Sequence, residues 1–149
     1  MAEVNSVGWG IMGCAGIAQK VARGITKAAN AHITAVASRS LERSKTWVSD
    51  LGIDASGITC YGNYEELLKD PRVSVVYLPT PTTTHKEWVL KIAAAGKHVL
   101  CEKPVAVTVV ELQEILEACD KANVQFMVIH CFSMMALRLF LGWSHVYAS

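Results

Sequence analysis

Glu102 and Lys103 stand side by side near the end of His98-Val-Leu-Cys-Glu-Lys103-Pro104, where an apolar run gives way to an acid, a base and a proline. That pattern predicts a buried strand delivering Glu102 and Lys103 to its C-terminal edge. Ligands of open α/β sheets bind outside that edge, so an adjacent acid and base there make half of an active site. A glycine-rich turn near the N-terminus points to the same edge. Gly8-Trp-Gly10-Ile-Met-Gly13 matches GxGxxG letter for letter, but the later register, Gly13-Cys-Ala15-Gly16-Ile-Ala18, is the better chemistry. The motif needs a strand before it and a helix after it. In the later register Val7–Met12 is that strand and Gly16 opens an amphipathic helix; in the earlier one the strand is squeezed into Val4–Val7. Gly13 then makes the tight turn, Ala15 and Gly16 leave room for backbone N–H groups to reach a pyrophosphate, and Ala18 lets the helix pack close to the sheet. The partial positive charge of the helix N-terminus adds to the attraction. Gly13, Cys14, Ala15, Gly16 and Ile17 are therefore the expected cradle of a dinucleotide. The competing reading is a tight strand–helix turn of any α/β domain, with Gly8 and Gly10 serving close backbone approach within a strand.

The end of the second strand selects the nucleotide. An Asp or Glu there accepts hydrogen bonds from the adenosine ribose. This chain has Ser38-Arg39-Ser40 instead, with Arg43 and Lys45 nearby. A guanidinium binds phosphate through a planar fork and stacks on flat rings, so Ser38 and Arg39 point to a 2′-phosphate and to NADP(H) over NAD(H). The alternative for Arg39 is an ordinary solvated charge.

Positioning these groups requires strands and helices in alternation, and the chain supplies them. Apolar or β-rich runs at Val7–Met12, Ile33–Ser38, Thr59–Tyr61, Val73–Leu78, Val99–Cys101 and Val124–Met127 read as strands. Helices are expected over Gly16–Ala29, Leu41–Leu51, Tyr64–Lys69, Glu87–Ala95 and from Thr108 to about Ala122. Ser40, Asn63 and Thr108 are the expected N-caps, the last two with Glu66 and Glu111 completing capping boxes. Gly52 and Gly96 supply stops. Six strands and five helices in alternation imply parallel pairing by right-handed crossovers: an α/β, doubly wound parallel sheet of the Rossmann type. The strands are continuously apolar, as expected when both sheet faces are covered.

Composition agrees with one core-building domain: 149 residues, 52% hydrophobic and 18% charged. A net charge of +1 with scattered basic residues argues against nucleic acid as a partner. Five cysteines without a CxxC pair read as reduced thiols in a cytoplasmic compartment, and no three-ligand metal motif stands out. The N-terminus lacks the basic and apolar regions of a signal peptide.

After the fourth strand come Pro79-Thr-Pro81-Thr-Thr-Thr84-His85, a loop stiffened by two prolines whose hydroxyls offer hydrogen bonds to a ring or ribose. With this loop, three motifs stand in order: Gly10-Ile-Met-Gly13-Cys-Ala-Gly-Ile-Ala18, Thr80-Pro-Thr-Thr-Thr-His85 and Ala95-Gly-Lys-His-Val-Leu-Cys-Glu-Lys-Pro104. Over Val7–Met127 the chain resembles the N-terminal half of the glucose–fructose oxidoreductase / inositol dehydrogenase (Gfo/Idh/MocA) family, in the branch of dihydrodiol and D-xylose dehydrogenases. The resemblance implies a two-domain oxidoreductase using a nicotinamide dinucleotide on sugars, polyols or related diols. It places Lys103 near the nicotinamide and the substrate hydroxyl, where an ammonium polarises a carbonyl or assists proton transfer during hydride exchange. Glu102 then orients Lys103 or contacts the cofactor ribose, and Pro79, Thr80 and His85 belong to the cofactor loop. Pro104 fixes the turn, with a cis Lys103–Pro104 bond as one form of it. His85 has an alternative as a helix cap or loop-packing residue; Cys101 reads as a small hydrophobe, and Trp47 and Trp88 as core or domain-contact residues.

The resemblance fades after Met127. A dinucleotide-binding domain is expected over residues 1–127 and an atypical apolar tail over 128–149, with one arginine, no acid and no lysine. Three readings of the tail stand: a product of splicing or of a shifted frame, an apolar helix covering the domain surface, and a membrane anchor. Arg138, His130 and His145 interrupt the apolar run, and it falls short of the usual ~20 residues, which disfavours the anchor. On these grounds the chain is expected to bind nucleotide and to need a longer form for turnover, with a non-catalytic nucleotide-binding module as the alternative. Self-association through the family's second-domain sheet has no counterpart in residues 1–149.

Overall fold

The structure is a computed structural model and describes residues 6–129. Six parallel strands form one sheet: β1 (Val7–Met12), β2 (Ala31–Ala37), β3 (Thr59–Tyr61), β4 (Val75–Leu78), β5 (His98–Cys101) and β6 (Phe126–Val128). Five α-helices connect them: α1 (Gly16–Ile25), α2 (Leu41–Asp50), α3 (Tyr64–Lys69), α4 (His85–Ala94) and α5 (Val109–Lys121), with a 3₁₀ turn at Thr82–Thr84 before α4. The strand order is β3-β2-β1-β4-β5-β6. It reverses direction between β1 and β4, and that switch point opens a crevice at the C-terminal edge.

Side chains alternate between the two faces with the period of a pleated strand. Trp9, Ile11, Tyr77 and Leu100 pack with Val21 and Ile25 of α1 and Trp47 and Val48 of α2. Met12, Val76, Leu78 and Val99 pack on the other side with Leu67 of α3, Val89 and Ile92 of α4, and Ile115 of α5. Each fully buried Leu or Ile of these layers contributes roughly 1.5–3 kcal/mol of transfer free energy. The continuous apolar strands are thus explained by two covered faces.

Local signals set the helix starts. Ser40, Asn63 and Thr108 are extended N-cap residues whose side chains accept from the N–H groups of Arg43, Glu66 and Glu111. Glu111 reaches back one residue further than a capping box requires, to the N–H of Val107 at 2.9 Å. Gly52 and Gly96 take the left-handed φ values of 64° and 69° that end helices.

Several boundaries differ from the sequence expectation. Helix α1 stops at Ile25 instead of Ala29, because five residues of turn reverse the chain so that Ala31 pairs with Val7. β2 begins at Ala31 and β4 only at Val75, since Val73 is tied by its N–H to the Asp70 carbonyl oxygen. Helix α4 starts at His85, two residues early, as the 3₁₀ turn runs straight into it. β6 covers Phe126–Val128, so the expected boundary after Met127 falls inside a strand. Residues 130–149, and with them most of the expected tail, lie outside the described residues. Among the described residues no helix is long and apolar enough to cross a membrane.

Candidate cofactor-binding site

The glycine turn folds in the later register. Gly13 has φ of +126°, a conformation that side chains rarely adopt, and its N–H donates to the Ala37 carbonyl at 2.9 Å. Gly8 and Gly10 serve a different purpose. A Cβ on Gly8 would stand 2.0 Å from the Arg72 carbonyl oxygen, and one on Gly10 would press on Leu67 and Val73 at 2.9 Å. They let β1 pack closely, as the close-approach reading of these two glycines requires.

The turn presents donors. The Cys14 carbonyl accepts from Arg43 Nη2 at 3.4 Å and the Ala15 carbonyl from Trp47 Nε1 at 3.3 Å, so α2 engages both acceptors. Ala15 is the N-cap of α1 and its side chain offers no capping bond, while the first turn of α1 holds no acid. A helix N-terminus without a side-chain cap or a carboxylate in its first turn carries partial positive charge. Burial pushes the Cys14 thiol up, against hydrogen bonding from Ser38 and the charge of Arg43, so the side chain within the turn is neutral at physiological pH.

A cavity of about 620 Å³ opens in front of the turn. Gly13, Cys14 and Ala15 of the turn line it, together with Ser38, Arg39 and Arg43. Pro79, Thr80, Pro81 and Thr84 of the loop after β4 also line it, as do Tyr64, Glu65 and Trp88. Ser38 is buried and braces the turn after β2: its hydroxyl donates to the Ser40 carbonyl at 2.7 Å and accepts the Ser40 N–H at 3.2 Å. Arg39 is exposed at the rim. Tyr64 and Trp88 meet edge to face with centroids 4.9 Å apart, and Lys91 lies 4.2 Å over the Trp88 ring while paired with Glu87 and Glu65. Neither Tyr64 nor Trp88 carries a site motif in the sequence: Tyr64 opens a short helix three residues past the end of β3, and Trp88 lies in the first turn of α4. Trp47 is core, whereas Trp88 faces the cavity.

Gly16, Ile17, Glu102 and Lys103 do not line this cavity. Ile17 is exposed on the first turn of α1. Glu102 and Lys103 stand beyond the C-terminal end of β5, on the far side of β4 from the glycine turn. Glu102 is half-buried: Oε1 accepts the Tyr77 hydroxyl at 2.7 Å and Oε2 the Lys103 N–H at 3.3 Å. The Lys103 side chain is exposed, and the Lys103–Pro104 peptide is cis. Burial and the neighbouring Glu102 push the Cys101 thiol up to about 12, which removes it as a nucleophile.

His85 is also placed away from the cavity wall. It is 1% exposed, with Nε2 at 2.8 Å from the Thr80 carbonyl oxygen and Nδ1 at 3.2 Å from that of Val105. Its ring therefore bridges the loop after β4 to the segment following Lys103-Pro104, and both nitrogens are occupied by backbone.

A crevice at the switch point, lined by the N-cap residue of an uncapped helix and by two arginines, fits a dinucleotide. Comparison with known proteins decides the family. Residues 7–130 match the model of the Gfo/Idh/MocA oxidoreductase family with its NAD-binding Rossmann fold. The chain belongs to this family. Among Gfo/Idh/MocA relatives it is 38% identical over 119 residues to the D-xylose 1-dehydrogenase (NADP(+)) 2 of Haloferax volcanii, covering 80% of this chain and 35% of that protein. It is 35% identical over 121 residues to the trans-1,2-dihydrobenzene-1,2-diol dehydrogenase of Xenopus tropicalis, covering 80% and 36%. The 3-ketoreductase KijD10 of Actinomadura kijaniata, solved with NADP, superposes with a TM-score of 0.77 at 29% identity over 83% of this chain and 38% of that one. The chain thus spans about a third of the length of the curated relatives it matches. It is an NAD(P)-binding oxidoreductase domain of this family, and the branch expected from the three motifs is the one its relatives occupy.

Proposed function

We propose that this chain binds NADP(H) in preference to NAD(H), as the cofactor half of an oxidoreductase acting on sugars, polyols or related diols. The observation that carries the preference is the pair Arg39 and Arg43 on the cavity side where a ribose-binding acid belongs in NAD enzymes. Two guanidinium groups there attract a 2′-phosphate, and no carboxylate from the turn after β2 opposes it. The N–H groups from Cys14 to Ile17 hold the diphosphate, with Gly13 making the turn that presents them, and Pro79 and Thr80 support the ribose beside them. The cofactor supplies hydride transfer when bound.

Lys103 is the proposed catalytic residue. Its exposed ammonium at the sheet edge donates to the oxygen that changes between alcohol and carbonyl, and Glu102 contacts the cofactor ribose on the same edge. His85 acts indirectly, by holding the backbone of Thr80 and Val105. The relatives named for D-xylose and for an aromatic dihydrodiol support a hydroxylated substrate.

Titration of the 149-residue chain with NADPH and NADH, followed by nicotinamide fluorescence, tests the preference. NADPH should bind at least tenfold tighter, and Arg39→Ala should remove about tenfold of NADPH affinity while leaving NADH unchanged. Equal affinities refute the preference. A nucleotide-binding module without turnover is the second reading, favoured by the Lys103 side chain, which stands exposed to solvent. NADPH-dependent turnover of any sugar, polyol or diol by this chain eliminates it.

A further inference from the structure

Tyr77 is 0% exposed, yet its hydroxyl is the one polar atom it carries into the core. Its position follows from the register. Tyr77 of β4 lies opposite Leu100 of β5, and both point to the face covered by α1 and α2. Glu102 comes two residues after Leu100, so an alternating chain directs it to the same face one step nearer the sheet edge. The phenol spans that step and donates to Glu102 Oε1 at 2.7 Å, while Oε2 receives the Lys103 N–H. Burial and the adjacent carboxylate raise the Tyr77 hydroxyl far above its ordinary value, so it stays a donor throughout the working pH range.

We propose that Tyr77 is a positioning residue for the cofactor: its buried hydroxyl fixes the Glu102 carboxylate, and through it the Glu102–Lys103 turn, in one orientation at the sheet edge. This rests on the reading of Glu102 as a cofactor contact. A phenylalanine at the position would fill the same core space and leave Glu102 free to rotate into solvent. Tyr77 never touches the nucleotide; it removes the freedom that binding would otherwise have to take from Glu102.

The test is a double-mutant cycle on NADPH affinity in the full chain with Tyr77→Phe, Glu102→Ala and the double variant. Tyr77→Phe should weaken binding roughly tenfold, the value of a hydrogen bond to a charged group, with melting temperature and far-ultraviolet dichroism close to the parent. In the Glu102→Ala background the same substitution should have no further effect. Parent-like affinity for Tyr77→Phe overturns the proposal, and so do losses that multiply independently. Should Tyr77→Phe not fold, ¹³Cζ-tyrosine spectra carry the test, with Tyr61, Tyr64, Tyr77 and Tyr147 distinguished by single Phe substitutions of the other three. Glu102→Ala must move the Tyr77 resonance, and Glu102→Gln, whose amide oxygen still accepts, must restore part of the shift and of the affinity. An unmoved resonance overturns the proposal. A parent chain that binds neither NADPH nor NADH fails the cofactor reading itself, an outcome distinct from normal binding that ignores Tyr77.

Discussion

Gly13→Ala separates backbone strain from ligand exclusion. The residue sits at φ +126°, so any side chain there is strained. Sparsely populated backbone conformations cost about 1–3 kcal/mol, and for a unit of this size about 1 kcal/mol lowers the melting temperature by roughly 4 °C. A fall of about 4–12 °C is expected from strain alone. The added Cβ meets Thr80 Cγ2 at 3.4 Å, Pro79 Cγ at 3.7 Å and the Tyr64 hydroxyl at 3.8 Å. Those are ordinary contacts, so the protein accommodates the methyl group; all three belong to the cavity wall, so the ligand does not. Displacing one phosphate oxygen from its N–H donor forfeits a charge-assisted bond of about 1.5–3 kcal/mol, or roughly 10–100-fold in affinity. Ile25→Val is the control: Ile25 is 1% exposed in the core at the far end of α1, and its truncation costs about 0.5–1.5 kcal/mol without touching the cavity. Melting by differential scanning fluorimetry and NADPH titration below the transition read both quantities. Ile25→Val should lose stability and keep affinity, whereas Gly13→Ala should lose both. Unchanged NADPH affinity in folded Gly13→Ala would refute the assignment of this turn as the phosphate cradle.

Two further outcomes concern stability. Asp70 is buried beneath Arg72, which holds its carboxyl below the usual carboxylate range against the opposing effect of burial; the Tyr61 hydroxyl adds a bond at 3.0 Å. A depressed folded-state value stabilises fully above the unfolded Asp value of about 4 and is lost as pH falls through the folded value. The melting difference between the parent and Asp70→Asn should therefore be constant from pH 5 to 7 and shrink below about pH 4; a constant difference down to pH 2 refutes the linkage. Gly8→Ala places a methyl group 2.0 Å from the Arg72 carbonyl oxygen and 2.7 Å from Thr34 Oγ1, both resisting movement. It should cost more than about 3 kcal/mol and leave little folded protein, and a melting temperature within a few degrees of the parent would contradict the close approach.

Much of the site was legible because its signals are local. A glycine turn between an apolar strand and an amphipathic helix dictates a helix N-terminus at the sheet edge, and Gly13 takes the backbone conformation that the later register demands. The caps at Ser40, Asn63 and Thr108 were readable for the same reason: a side chain and an N–H three residues on interact whatever the rest of the chain does. His85 and Trp88 behaved differently. A histidine after a hydroxyl-rich loop reads as a cofactor contact or as a cap or loop-packing residue, and the structure takes the packing alternative: Thr80 and Val105, the latter twenty residues away, occupy its ring nitrogens. Trp88 reads as a core or domain-contact residue; it packs against the core and also meets Tyr64 at the cavity.

The sequence by itself determined the α/β alternation, the doubly wound class, the register of the glycine turn and the absence of a carboxylate in the turn after β2, since each depends on neighbours within a few residues. The tertiary structure decided which distant groups meet. It set Tyr77 under Glu102 through the β4–β5 register and drew α2 onto the carbonyls of the glycine turn. It also brought Arg43 to the cavity beside Arg39. Those contacts follow from strand order and register, which pair residues tens of positions apart, and periodicity along the chain carries no record of such pairings.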